Sequence, residues 1–327
     1  MVFDDRCLAF CVNFFSSDIF CKRAIIFAFY TLNFTEVIVL DKSIFAVIGG
    51  DERQLALANM LAAEGSTVYC SGFEHSAQHL IGAASTDPLT AALMADIVIL
   101  PMPPTRDGET LNAPLSCYRI ELDDEYCAAI KDKIVFCGMA DKLREISPAY
   151  AQLNIFDYSA NPTFLIRNAQ ATAEGAVAEI IANFTRTVCG SRILITGYGR
   201  ISGFLAPMLR SMGGDVSIAA RKSSDRAKIV SYGMSALTFC RAARKANEFD
   251  VIINTVPERV IDSGFIERIS PDTLIIELSS APGGIDLAEC EKKNICVIQA
   301  KALPGKYSPV SAAEIIKETV MSVLEED

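Results

Sequence analysis

The sequence predicts an α/β protein with two Rossmann-like, doubly wound parallel sheets. Three observations predict it. Short β-rich apolar runs alternate with helical patterns, as in a parallel sheet covered on both faces. That cadence occurs twice, restarting at Arg192. The 327 residues, 51% hydrophobic, are too many for one ordinary core and suit two domains.

The first unit opens with the strand Ile44-Phe45-Ala46-Val47-Ile48 and the turn Gly49-Gly50-Asp51. A helix over 52–64 carries Leu55, Leu57 and Leu61 among alanines and stops at Gly65. Strands follow at 67–70, 97–100 and 134–137, with Pro101 ending the second. Val177, Ile180, Ile181, Phe184 and Val188 then recur at helical spacing, which predicts a long bridging helix. The second unit repeats the plan: strand 193–196, turn Gly197-Tyr198-Gly199, helix 200–212, and strands at 216–219, 251–254, 274–277 and 296–298. Ile315, Ile316, Val320, Val323 and Leu324 predict a last amphipathic helix that returns to pack on the first unit. The expected boundaries are therefore four. Residues 43–160, joined by 305–327, form a substrate domain. Residues 161–188 form the inter-domain helix. Residues 189–304 form a dinucleotide domain. Residues 1–42 are an atypical extension outside the fold.

That extension holds eight of the 18 Phe and three of the 11 Cys, without a sustained period. Asp4 and Asp5 stand where a signal peptide needs cations. Its apolar stretch over 24–32 is too short for a bilayer. A segment lying on a membrane surface is the alternative.

The 40 acidic residues against 30 basic give a net charge of −10, which argues against a nucleic-acid partner. The cysteine count is odd and no pair forms C-x-x-C, so buried free thiols in a reducing cytosol are expected. No metal site is expected. His75 and His79 are four apart, but the segment lacks the Glu of H-E-x-x-H. No histidine follows residue 79, so no histidine base can come from the later three-quarters of the chain.

The loop Gly197-Tyr198-Gly199-Arg200-Ile201-Ser202 follows a strand and opens a helix, as a dinucleotide site requires. Gly197 allows the tight turn, and Gly199 lets backbone approach a pyrophosphate on the helix N-terminus. Ser202 replaces the usual Gly or Ala, and Pro207 interrupts the helix. A vestigial Rossmann domain is the alternative. The next strand ends in Ala220-Arg221-Lys222-Ser223, with no carboxylate for a ribose 2′-OH. Cations and hydroxyls there suit a 2′-phosphate, so NADP is preferred over NAD; a solvated basic turn is the bland reading. Asn254, Thr255, Val256 and Pro257 end one later strand, and Ser279 follows another. They are candidates for the nicotinamide side, where Gly and Pro could equally serve ordinary turns.

Several separated motifs then carry a family resemblance. They are Val47-Ile48-Gly49-Gly50-Asp51-Glu52-Arg53-Gln54, Leu100-Pro101-Met102-Pro103 with Arg106-Asp107-Gly108, and Leu111-Asn112-Ala113-Pro114. Asn168-Ala169 with Thr172-Ala173-Glu174-Gly175, Ala219-Ala220-Arg221-Lys222, Pro282-Gly283-Gly284 and Leu303-Pro304-Gly305-Lys306 follow in order. From about residue 43 onward the chain resembles the dipicolinate synthase A-subunit family. The resemblance implies oxidation of dihydrodipicolinate, or its hydroxylated tetrahydro precursor, to pyridine-2,6-dicarboxylate. It also implies a partner, the B-subunit of dipicolinate synthase, and the mother-cell cytoplasm of a sporulating bacterium.

A dicarboxylate substrate calls for cations and amides. Arg53, Arg106, Asn112 and Lys306 are the substrate-binding candidates. Lys306, Arg106 and Glu174 are the catalytic ones, Lys306 as a carboxylate ligand or, with a lowered pKa, a proton carrier. Each is otherwise an ordinary solvated surface group. Two other readings stay open: a two-domain dehydrogenase of a 2-hydroxy or 2-amino acid, and a non-catalytic cofactor-binding subunit. No membrane span is expected, and a homo-oligomer is possible.

Overall fold

A computed structural model describes residues 43–326, so the extension expected over 1–42 lies outside the described residues. β1 (Ile44–Ile48) leads through α1 (Glu52–Ala63) to β2 (Thr67–Ser71) and a short β3 (Ala84–Ser85). α2 (Pro88–Met94), β4 (Ile97–Ile99), α3 (Asp124–Ile130), β5 (Ile134–Cys137), α4 (Asp141–Arg144) and β6 (Ile155–Asp157) complete the first unit. α5 (Pro162–Asn183) crosses to the second. There β7 (Arg192–Thr196), α6 (Arg200–Ser211), β8 (Asp215–Ala219), α7 (Ser223–Ser231), β9 (Ser235–Leu237) and α8 (Phe239–Arg244) come first. β10 (Val251–Asn254), α9 (Ser263–Ile266), β11 (Leu274–Glu277), α10 (Leu287–Lys292) and β12 (Val297–Gln299) follow. α11 (Leu303–Tyr307) and α12 (Pro309–Glu326) end the chain.

Both sheets are parallel and six-stranded. Their orders are β3-β2-β1-β4-β5-β6 and β12-β11-β10-β7-β8-β9. The strand order therefore reverses beside β1 and beside β7, and ligands of open α/β sheets bind at such switch points. Both faces are covered, so alternate residues enter different cores. Ala46 and Ile48 of β1 join one cluster, and Phe45 and Val47 the other. Ile193 and Ile195 of β7 lie on one side of the second sheet, and Leu194 on the other.

α5 begins where Asn161 accepts hydrogen bonds from Thr163 N and Phe164 N, with Pro162 at its first position. Phe164 packs into the first unit, while Ala173, Ala176 and Ile180 pack into the second. One rod is thus anchored in both cores. It ends at Asn183, because Phe184 turns extended; Val188 is buried beyond the helix. α12 returns as expected. Ala313, Ile315, Ile316 and Val320 share a cluster with Leu55, Leu57 and Leu61 of α1. Lys317 bonds Glu64, and Arg167 of α5 pairs with Glu318.

β3, β6 and β9 were not anticipated from the sequence. At two or three residues each they are too short to display a period, and pairing with a neighbouring strand defines them. Among the described residues, no helix is long and apolar enough to cross a membrane.

Candidate functional site

The glycine turn sits at the carboxyl tip of β7. Gly197 has φ +92°, and a Cβ there would meet Thr255 Oγ1 and Val256 Cγ2 at 2.7 Å, so only glycine fits. Gly199 is the N-cap of α6, in extended backbone and with no side chain capping the helix. A Cβ on Gly199 meets nothing within 4 Å. Space and unclaimed helix N–H groups therefore coincide, which fits a pyrophosphate. Arg200 is exposed and Tyr198 and Ile201 are half-buried around the turn. Ser202 is fully buried; its hydroxyl lies 2.8 Å from Gly197 O and 3.2 Å from Thr255 Oγ1. Thr255 Oγ1 in turn donates to Thr196 O at 2.8 Å.

The tip of β8 presents Arg221, Lys222 and Ser223, all exposed. Lys222 is the N-cap of α7, again without a side-chain cap. Arg221 reaches Glu258 at 3.7 Å, a loose pair in water. Arg226, which sequence reasoning passed over, donates to Ala220 O and Arg221 O at 2.9 and 2.6 Å. It staples the turn that displays Arg221. Asn254 is buried at the tip of β10; Thr255 and Val256 are half-buried beside the glycine turn, and Pro257 is exposed. Ser279 is buried against Glu277, the end of the strand expected over 274–277.

In the first unit, Asp51 caps α1 and takes two bonds from the Arg53 guanidinium, at 2.8 and 2.9 Å. Arg53 also reaches Met102 O at 3.4 Å. Burial would raise the Asp51 carboxyl, but bonds and charge from Arg53, with the charge of Arg106, hold it below its ordinary value. Arg53, a substrate-binding candidate from the sequence, is thus paired within the chain. Arg106 is exposed, and its Nε donates to Asn112 Oδ1 at 2.9 Å. Asn112 Nδ2 donates to Pro103 O at 3.0 Å, which ties both residues to the tip of β4. Arg106 lines two surface cavities of about 410 and 400 Å³. Asn112 and Tyr118 share the first, and Lys142 the second.

Lys306 lies on α11, its ammonium 2.6 Å from Glu179 Oε1 of α5 and 4.7 Å from the Tyr307 ring centre. The hydrogen bond to Glu179 raises its pKa, with Tyr307 helping. Of the two roles open to Lys306, the carboxylate partner favours the charged form over a lowered pKa. Glu174 is on an exposed face of α5 and accepts from Gln170 at 3.2 Å. The structure does not bring it to Arg106 or Lys306 through any bond.

α11 connects the two halves. It follows β12 of the second sheet, yet a Cβ on its Gly305 would meet Asp51 Oδ2 at 2.9 Å and Arg53 Nε at 3.1 Å. Those residues follow β1 of the first sheet. The carboxyl ends of both sheets are therefore joined at this edge.

Residues 44–158 match the family described as the N-terminal domain of the dipicolinate synthase A-subunit. The chain is 27% identical over 284 residues to the dipicolinate synthase A-subunit of Bacillus subtilis (strain 168), covering 86% of this chain and 95% of that protein. It is similar to the crystal structure of the dipicolinate synthase A-subunit from Bacillus halodurans. The TM-score is 0.77 at 25% identity, over 87% of this chain and 98% of that one. A transhydrogenase from Sinorhizobium meliloti shares the fold at a TM-score of 0.66 and 15% identity, over 86% and 93% of the two chains. Taken with the paired Rossmann-like sheets, these findings make the chain similar to dipicolinate synthase A-subunits over most of its length, with a family match confined to its first unit.

Proposed function

We propose that this chain is the dehydrogenase component of a dipicolinate synthase. It would oxidise dihydrodipicolinate, or its hydroxylated tetrahydro precursor, to dipicolinate with NADP in preference to NAD. The observation that carries the reading is the glycine turn at β7, with open space over Gly199 and an uncapped helix behind it. A bound oxidised nicotinamide supplies the two-electron acceptor. The substrate's ring loses one proton besides, and from the hydroxylated form one water.

The chain's residues then divide the work. Backbone N–H groups of Arg200, Ile201 and Ser202 hold the pyrophosphate. Arg221, Lys222 and Ser223 would hold a 2′-phosphate, Arg221 exchanging for it the loose pair with Glu258. Asn254, Thr255, Val256, Pro257 and Ser279 wall the nicotinamide side. Arg106 and Asn112 bind a substrate carboxylate from the rigid loop after β4. Lys306 acts as a fixed cation and not as a base, since Glu179 keeps it protonated. Aromatisation drives the proton from the ring, so no strong base is needed. Residues 43–160 with 305–327 form the substrate domain, 161–188 the link and 189–304 the cofactor domain. The dipicolinate synthase B-subunit is the expected partner, and the mother cell of a sporulating bacterium the expected compartment.

The test is ultraviolet absorbance of pyridine dicarboxylate. The chain is incubated with dihydrodipicolinate and NADP⁺, with and without the B-subunit. Product from the chain alone, lost in Arg106→Ala, supports the reading. Cofactor binding with no product in either mixture would reduce the chain to a binding component.

A further inference from the structure

Two strand tips of the second sheet meet at one buried carboxylate, and a third is tied to it through Asn254. Glu277 is the last residue of β11 and pairs across the ladder with Asn254, which pairs with Thr196 on β7. Glu277 is 5% exposed. Its Oε1 accepts from Asn254 Nδ2 at 2.8 Å, from Ser279 N at 2.9 Å and from Ser279 Oγ at 2.7 Å. Its Oε2 accepts from Gly284 N at 2.9 Å. All four donors are neutral, and among the described residues no ion pair reaches this carboxylate. A buried carboxylate needs several hydrogen bonds to offset its lost hydration. Here the bonds end on the tip of β10, at Asn254, and on the loop after β11, at Ser279 and Gly284.

Those bonds fix two loops together. Asn254 spends its amide on Glu277 and on Val256 O, the latter at 2.8 Å, while its Oδ1 accepts from Thr196 Oγ1 and Val256 N. Gly284 lies against Val256 O, Asn254 Nδ2 and Glu258 O so closely that a Cβ would not fit. Residues 254–257 and 279–284 therefore form one wall with Glu277 as its fastener. That wall stands beside the glycine turn, since Thr255 and Val256 touch Gly197's open side.

We propose that Glu277 is a positioning residue for the nicotinamide half of the cofactor, an inference that rests on the dehydrogenase reading above. It acts through Asn254, Ser279 and Gly284 and not by touching the reacting atoms. Glu277→Gln keeps the volume and one acceptor. It sets an amide donor against the Gly284 N–H, leaving donor facing donor. The wall then loosens while the pyrophosphate turn and the β8 tip keep their own bonds.

The test is calorimetric titration of wild type and Glu277→Gln with NADP⁺ and with 2′-phospho-ADP-ribose, which lacks only the nicotinamide. The variant should bind NADP⁺ about tenfold more weakly and 2′-phospho-ADP-ribose unchanged. Ser279→Ala, a milder change that removes one donor, should shift the ratio the same way by less. Equal weakening of both ligands, or an unchanged ratio in both variants, would overturn the proposal and leave the dehydrogenase reading standing. Wild type that binds neither ligand would overturn that reading, and this proposal with it.

Discussion

Ser202 shows how one residue can depart from a motif and still serve it. Glycine or alanine is usual there because helix and strand pack closely. The serine fits by placing its hydroxyl beside Gly197 O and Thr255 Oγ1, so no buried polar atom is left over. The two glycines before it do different work, and their substitutions should separate. Gly197→Ala places a methyl into Thr255 and Val256 at a φ that alanine resists. It should lower both stability, by about 1–3 kcal/mol, and dinucleotide affinity. Gly199→Val meets open space in ordinary backbone. Its cost to stability, read from the urea midpoint, should be that of a poorer helix cap and smaller than that of Gly197→Ala, while NADP⁺ binding weakens roughly tenfold or more because the side chain fills the phosphate's place. Equal effects from both would refute the assignment of that space.

Asp51 gives a second residue-level prediction. Asn remains a good helix cap, so Asp51→Asn isolates the ion pair with buried Arg53. The loss should be about 2–4 kcal/mol near neutral pH, because the guanidinium keeps its burial and loses its counter-charge. The Asp51 pKa is depressed in the fold, below 3.8. Its contribution is therefore present above that value and lost as pH falls through the folded pKa. The gap between wild type and variant, read from urea midpoints, should be open at neutral pH and close in strong acid. A gap that stays constant through that range would contradict the pairing. The glycines were legible in the sequence because their requirement is local backbone geometry. The Lys306–Glu179 pair was not, because its partners lie 127 residues apart. Glu277 was legible as a strand end, but not its bond to Asn254 on a neighbouring strand.

At the scale of elements, α6 carries the clearest conflict between local and global demands. Pro207 lies inside it, on the exposed side, along with Gly203. The carbonyl that proline leaves without a helical donor is that of Gly203, four residues earlier, and it faces water. The buried side, with Leu205, Ala206 and Leu209, holds the helix in place regardless. Pro207→Ala should restore the missing bond and raise stability by about 1–3 kcal/mol, with NADP⁺ affinity unchanged. A neutral or destabilising result in thermal unfolding would mean that the ring makes contacts worth as much. Central strands were legible because both of their faces are buried and their apolar runs are continuous. The edge strands β3, β6 and β9 were not, since two or three residues acquire strand character only by pairing. α5 ends at Asn183 and not at 188, because Val188 is buried for another reason, its own place in the second core.

For the whole molecule, the decisive fact is that the chain leaves its first unit and comes back. The core between α1 and the first sheet contains Ala313, Ile315, Ile316 and Val320, supplied by α12 after the entire second unit has been made. α1 alone cannot cover Phe45, Val47 and Ile99 on that face while α12 is missing. A fragment spanning 43–160 should therefore expose an apolar face and fail to fold cooperatively, although it contains every strand of its sheet. Joining residues 308–327 to that fragment through a flexible linker should restore much of the lost packing, because loop closure costs only a few kcal/mol. Circular dichroism and urea unfolding of the two fragments make the comparison. A cooperative transition in the fragment without α12 would show that the return is dispensable. The same construction couples the halves. α11 precedes α12 and lies against Asp51 and Arg53, so the first and second units share a boundary that neither can complete alone.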